Sequence, residues 1–144
     1  MKSRISGRRS ARELALSALF QIDLAHVSPD EAVSIVSNAD RYADETLCFA
    51  RELVLGSSRH LSKIDSVIER HARGWSLDRM ANIDRNILRL ALYEVLYRTD
   101  IPPSVTVDEA VELAKKFSTA ESGRFVNGVL GNVVRNLEEE QSAL

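Results

Sequence analysis

Apolar residues recur at helical spacing along nearly the whole chain. Leu14, Ala15, Ala18, Leu19 and Ile22 fall one, three and four positions apart and lay a single stripe on a helix. A second pattern covers 42–73, with Leu47, Ala50, Leu53, Leu61, Ile64 and Ile68 on one side and a candidate break at Gly56, Ser57 and Ser58. Gly74 is placed to end it as a left-handed cap. The stretch 78–98 is the most apolar: Ile83, Ile87, Leu90, Ala91 and Leu96 are joined by Leu88, Leu92, Tyr93 and Val95. So broad a hydrophobic surface predicts a central helix covered by others. Asp100 to Pro103 ends it, because two prolines remove donors and push preceding residues out of the helical region. Beyond it, Val107, Ala110, Val111 and Ala114 define a short helix, with Phe117 extending the stripe into the core. Val126, Val129, Leu130, Val133 and Leu137 define a last one.

Start signals agree with this reading. Ser10 with Glu13, Ser28 with Glu31 and Thr106 with Glu109 all have capping-box spacing, and Pro29 suits the first helical position after Ser28. No strand alternation or repeat interrupts the pattern, so the expected fold class is all-α. At 144 residues it is expected to be a single compact domain, residues 1–144, with a flexible arm at 1–7 and a frayed tail at 138–144.

Composition narrows the function. Hydrophobic residues at 44% and charged residues at 28% describe a globular protein, with no apolar run long enough for a membrane span. The amino terminus leads into a helix pattern rich in Arg and Glu, unlike a signal peptide. The single cysteine, Cys48, fits a reducing cytoplasm and, between Leu47 and Phe49, reads as a buried thiol. His26, His60 and His71 are too scattered for a local metal motif, and no phosphate-binding loop, dinucleotide fingerprint or nucleophile elbow is present. Neither a catalytic residue nor a cofactor is expected.

Charge distribution supplies the positive signal. Lys2, Arg4, Arg8, Arg9 and Arg12 crowd the first twelve positions, whereas the net charge of the whole chain is −2. Local charge sets the pull on phosphates, so nucleic acid is the first partner to consider. Arg8 and Arg12 stand one turn apart if a helix begins near Arg8, and bases at a helix start oppose the helix dipole, so helix stability alone explains them poorly. Arg85 and Arg89 form a second like-charged pair at i, i+4, with Asp84 beside it, readable as an anion site or as ordinary internal salt bridges. Near the carboxyl end, Ser122 is placed to cap a helix whose first turn would hold Gly123, Arg124 and Phe125, a setting for an anion and for stacking on an unpaired base. Gly128 and Gly131 on that helix suggest close approach of another backbone, inside the protein or from a partner.

The segments Ile83-Asp-Arg-Asn-Ile-Leu-Arg-Leu-Ala-Leu-Tyr-Glu, Asp100-Ile-Pro-Pro, Asp108-Glu-Ala-Val-Glu-Leu-Ala-Lys-Lys-Phe and Arg124-Phe-Val-Asn-Gly-Val-Leu resemble the NusB family of transcription antitermination factors. The amino-terminal Arg-Arg-Ser-Ala-Arg-Glu resembles that family's RNA-binding arm. The resemblance implies two packed helical bundles of about seven helices and a non-enzymatic adaptor. The adaptor would bind single-stranded boxA RNA of ribosomal RNA leaders together with the ribosomal protein NusE, within the antitermination complex of RNA polymerase. It implies RNA contact by the basic arm (Lys2, Arg4, Arg8, Arg9), by Arg12 and by the segment holding Glu121, Gly123, Arg124 and Phe125. Phe20, Asp84, Arg85 and Arg89 would lie at or near the NusE surface. The family commonly has tyrosine at Phe20, asparagine at Asp108 and an acidic residue at Gly131. A similar helical fold precedes the catalytic part of an rRNA cytosine methyltransferase, but no α/β segment follows here to bind S-adenosylmethionine. A protein-interaction module with incidental basic ends, and a homodimer hiding the arginines, stay open.

Overall fold

The computed structural model describes residues 3–144, so Lys2 lies outside the described residues. Eight α-helices follow one another among the described residues: α1 (Arg8–Ala25), α2 (Pro29–Val36), α3 (Asp44–Arg59), α4 (Leu61–His71), α5 (Asn82–Tyr97), α6 (Pro103–Phe117), α7 (Ala120–Arg135) and α8 (Leu137–Ser142), with a 3-10 turn at Leu77–Arg79. The fold is all-α, as the periodicity requires. The chain divides into two compact units, one ending at Arg59 and the other spanning His60–Leu144. None of the described helices is long and apolar enough to cross a membrane.

In the first unit α1, α2 and α3 pack against one another. The α1 stripe is buried through Leu14, Ala15, Ala18 and Leu19, joined by Ala32 and Val33 of α2 and by Phe49, Ala50 and Leu53 of α3. Ser28 caps α2 as its spacing predicts, its Oγ accepting from the Glu31 N–H at 3.1 Å, with Pro29 at the first position. Ser10 does not cap α1. The helix begins three residues earlier because Gly7, at φ 102°, makes the turn into it and gives its N–H to Thr46 Oγ1 at 3.1 Å, leaving Ser10 inside the first turn. Cys48 is exposed, correcting its reading as a buried thiol, because Thr46, Phe49 and Ala50 take the inward face of α3.

In the second unit α5 is the central element. Its residues from Asn86 to Leu96 are buried except Arg89, and α4, α6, α7 and α8 all pack on it. Thr106 does not begin a helix: α6 starts at Pro103, whose fixed φ is already helical, and Thr106 is buried with its hydroxyl donating to Glu94 Oε1 at 3.1 Å. The break expected near Gly56 falls at His60, and Gly74, at φ 78°, lies two residues past the Ala72 cap of α4. Phe117, expected in the core, is 44% exposed, with the Lys116 ammonium 5.2 Å from its ring. Close backbone packing occurs at Gly123, where a Cβ would meet Lys115 Cγ at 3.2 Å. Gly128 has open space beside it, and at Gly131 the neighbour is the flexible Arg135 guanidinium at 3.4 Å, so within the described chain no backbone approaches closely at those two positions.

The carboxyl tail is ordered into α8 where fraying is expected. Glu140 is buried and accepts from Arg70 Nε and Nη2, with His71 Nε2 2.9 Å from its Oε1, and the Lys63 ammonium donates to the Ala143 carbonyl at 3.1 Å. The hydrogen bonds from Arg70 hold the Glu140 carboxyl below the usual carboxylate range, and His71 adds to this against the opposing effect of burial. A depressed carboxyl stabilises above its unfolded pKa and ceases to do so as pH falls through the folded value. The protection factors of amides 137–142, measured against the intrinsic exchange rate at each pH, are therefore expected to be high at neutral pH and to fall in acid below about pH 4. In Glu140→Gln protection should already be low at neutral pH and lose most of that dependence, as followed by NMR hydrogen exchange.

Candidate nucleic-acid interface

The amino-terminal arm is fastened before the helix begins. Ile5 pairs in a parallel bridge with Tyr42, its N–H donating to the Arg41 carbonyl and its carbonyl accepting from the Ala43 N–H, both at 2.8 Å. Residues 5–7, expected to be flexible, are thus tied to the segment leading into α3. The Gly7 bond to Thr46 then fixes the first turn of α1 over that of α3. Arg4, Arg8 and Arg9 are exposed. Arg12 is 4% exposed, which corrects the expectation that it stands at the surface with them. Both arginines reach the same ring: Phe49 rises from α3 with the Arg8 guanidinium 4.9 Å and the Arg12 guanidinium 5.7 Å from its ring centroid. A cleft of about 220 Å³ opens beside the ring, lined by Ser6, Gly7, Arg8, Ala43, Glu45 and Thr46. Arg41, exposed and next to the arm, adds a base that charge counting at the amino terminus passes over.

The second unit gathers the carboxyl-terminal candidates around the start of α7. Thr119 is the cap, its Oγ1 accepting from the Ser122 N–H at 3.0 Å. Ser122, expected to cap, is buried in the first turn, and its Oγ donates to Asp84 Oδ2 at 3.0 Å. Gly123 is also buried, and its N–H goes to the Thr119 carbonyl at 3.1 Å, so the expected anion-binding amide at Gly123 is already used. Glu121 and Arg124 are exposed and Phe125 is half-buried, edge-on to Trp75 with centroids 6.2 Å apart. Trp75, 51% exposed, follows the Gly74 turn. A cavity of about 440 Å³ is lined by Trp75, Arg79, Met80, Asp84, Glu121 and Phe125, among others. The exposed Glu121 carboxylate opposes a phosphate at this helix end, so the pocket suits the apolar face of a base better than an anion.

The residues expected to face a protein partner are unequally available. Phe20 is half-buried on α1. Asp84 is 8% exposed and bound to Ser122. The Arg89 side chain is 12% exposed and grips Asp65 through Nε at 2.9 Å and Nη2 at 3.0 Å, so of the two readings of the Arg85 and Arg89 pair, the internal salt bridge holds for Arg89. Arg85 is half-buried and donates through Nη1 to the Leu77 carbonyl at 2.8 Å. Among the described residues no group of three or more His, Cys, Asp or Glu side chains is placed to hold a metal ion.

A model of the NusB family matches residues 9–135. The chain belongs to the NusB family. It is similar to the transcription antitermination protein NusB of Symbiobacterium thermophilum, 51% identical over 139 residues and 91% of each chain. It is also similar to that of Desulforamulus reducens, 49% identical over 133 residues, 92% of this chain and 93% of that one. Among solved structures, T. maritima NusB superposes with a TM-score of 0.85 at 38% identity, covering 90% of this chain and 92% of its own. A crystal structure of antitermination factors NusB and NusE in complex with dsRNA gives 0.83 at 32%, covering 90% and 96%. The protein is a transcription antitermination factor of a non-enzymatic family.

The Asp84 to Ser122 bond is what ties the α7 start to α5. Removing the hydroxyl in Ser122→Ala takes a donor from a buried carboxylate and should cost about 1–3 kcal/mol in urea unfolding. The loss should shrink markedly when Asp84→Ala, which leaves no acceptor, is already present, as a double-mutant cycle would show.

Proposed function

We propose that this chain binds boxA-type single-stranded RNA of ribosomal RNA leaders jointly with NusE, and that the assembly travels with RNA polymerase in the cytoplasm to keep rRNA transcription processive. The observation that carries the reading is the pairing of two kinds of surface within one NusB-family chain: an exposed arginine cluster on the first unit and an open aromatic cavity on the second. Arg4, Arg8 and Arg9, with Lys2 preceding them, neutralise phosphates. Phe125 and Trp75 offer faces for unpaired bases, with Arg124 and Glu121 at the rim. Phe20 and Arg85 are the accessible members of the set proposed to meet NusE. Phosphate contacts alone are salt-sensitive and carry no sequence information, so a second protein on the same RNA raises both affinity and specificity.

Fluorescence anisotropy with labelled boxA RNA, titrated with and without NusE, tests this. Tighter binding with NusE, and a clear preference over a scrambled RNA of equal length, is expected. Equal affinity for both RNAs in the presence of NusE would defeat the proposal in favour of an interaction module without RNA specificity, and a dimer that dissociates on RNA addition would show the arginines hidden in the free state. Phe125→Ala should weaken RNA binding by about 1–3 kcal/mol with little change in salt dependence, since stacking displaces few counterions.

A further inference from the structure

We propose that Arg12 serves RNA binding as a positioning residue, not as a phosphate ligand: it braces the Phe49 ring, and the ring holds the exposed Arg8 guanidinium in place. The inference rests on the RNA-binding reading above and departs from the direct contact that family resemblance implies for Arg12.

Arg8 and Arg12 lie one turn apart on one face of α1, where two guanidinium groups repel. Phe49 brings its π-system to both, and the negative charge of the aromatic face attracts cations. The two arginines nevertheless differ in access. Arg8 is exposed at the rim of the cleft, whereas Arg12 is buried. A buried guanidinium reaches a phosphate only by leaving its seat, which would strip the ring of its inner neighbour. Phe49 is itself buried and sits one turn beyond Thr46, whose hydroxyl oxygen takes the Gly7 N–H. The start of α1 is therefore clamped to α3 twice, by the Thr46 bond and by the ring. Arg8 then meets a phosphate with its rotamer largely chosen in advance, and less side-chain entropy is lost on binding.

The test is a double-mutant cycle in the full chain, with boxA RNA titrated across a salt series. One phosphate contact to a single strand contributes about 0.7 to the slope of log affinity against log salt. Arg8→Ala should therefore flatten that slope by about 0.7 and weaken binding about fivefold near 0.1 M salt. Arg12→Gln and Phe49→Leu should each weaken binding in the wild-type background but add nothing in affinity or slope once Arg8→Ala is present. A further fall of about 0.7 in the double variant would mean that Arg12 itself contacts a phosphate, and would overturn the inference. A readout without RNA keeps the two readings separate. The Arg8 side-chain proton resonances should carry a ring-current shift from Phe49 that collapses in Arg12→Gln and in Phe49→Leu. If that shift persists in Arg12→Gln, the bracing role is wrong whether or not RNA binds. If the shift collapses but the wild-type chain ignores boxA RNA, the functional reading fails and the bracing geometry stands. Should Arg12→Gln fail to fold, Arg12→Lys, which keeps the charge but not the planar guanidinium, decides in its place: a shift clearly smaller than wild type supports the brace, and an unchanged shift overturns it.

Discussion

Burial of α5 on nearly all sides is the constraint from which the second unit follows. A helix with Ile87, Leu88, Leu90, Ala91, Leu92, Val95 and Leu96 all removed from water has no face left for solvent, so helices must surround it. The same burial sets terms for the polar residues it carries inward. Glu94 takes a hydroxyl from α6 through Thr106, and Asp84 takes one from α7 through Ser122. A buried carboxylate left without such donors would cost more than most single contacts return. These bonds therefore fix where α6 and α7 lie along the central helix, and the second fixes the start of α7 beside the aromatic cavity.

Much of the architecture was legible from local rules. The α5 core, the Ser28 and Pro29 start and the apolar stripes of α1 and α7 all depend on residues within one or two turns of each other. What failed depended on distant partners. Ser10 and Thr106 have the spacing of caps, but Gly7 is claimed by Thr46 and Thr106 by Glu94, each far away in sequence. Cys48 and Phe117 are hydrophobic by type and lie outside because their helices turn other residues inward. The candidate interface was legible as charge at the amino terminus and as the family-like segment near Phe125. Its geometry was not: Arg12 is hidden while Arg8 is not, and Phe49 and Trp75 gave no signal beyond being aromatic near a glycine or an arginine.

The two candidate surfaces divide the chemistry of a polyanion carrying bases. Cations gather where helix α1 begins, against the preference of its dipole, so their placement serves something other than that helix. The start of α7 instead carries Glu121, which favours the helix and disfavours a phosphate. A chain with net charge −2 attracts nucleic acid only where its bases are concentrated, and its acidic remainder limits indiscriminate binding.

The bridge between Ile5 and Tyr42 gives the connection from α2 to α3 a role beyond spanning a gap. Residues 37–43 supply the edge along which the arm is laid, so their length sets the register of everything fastened to it. An insertion there would slide the partner of Ile5, swing the origin of the first helix and redirect its guanidinium groups. A connection of that kind aims what is fastened to it, over and above any contact that its own Arg41 makes.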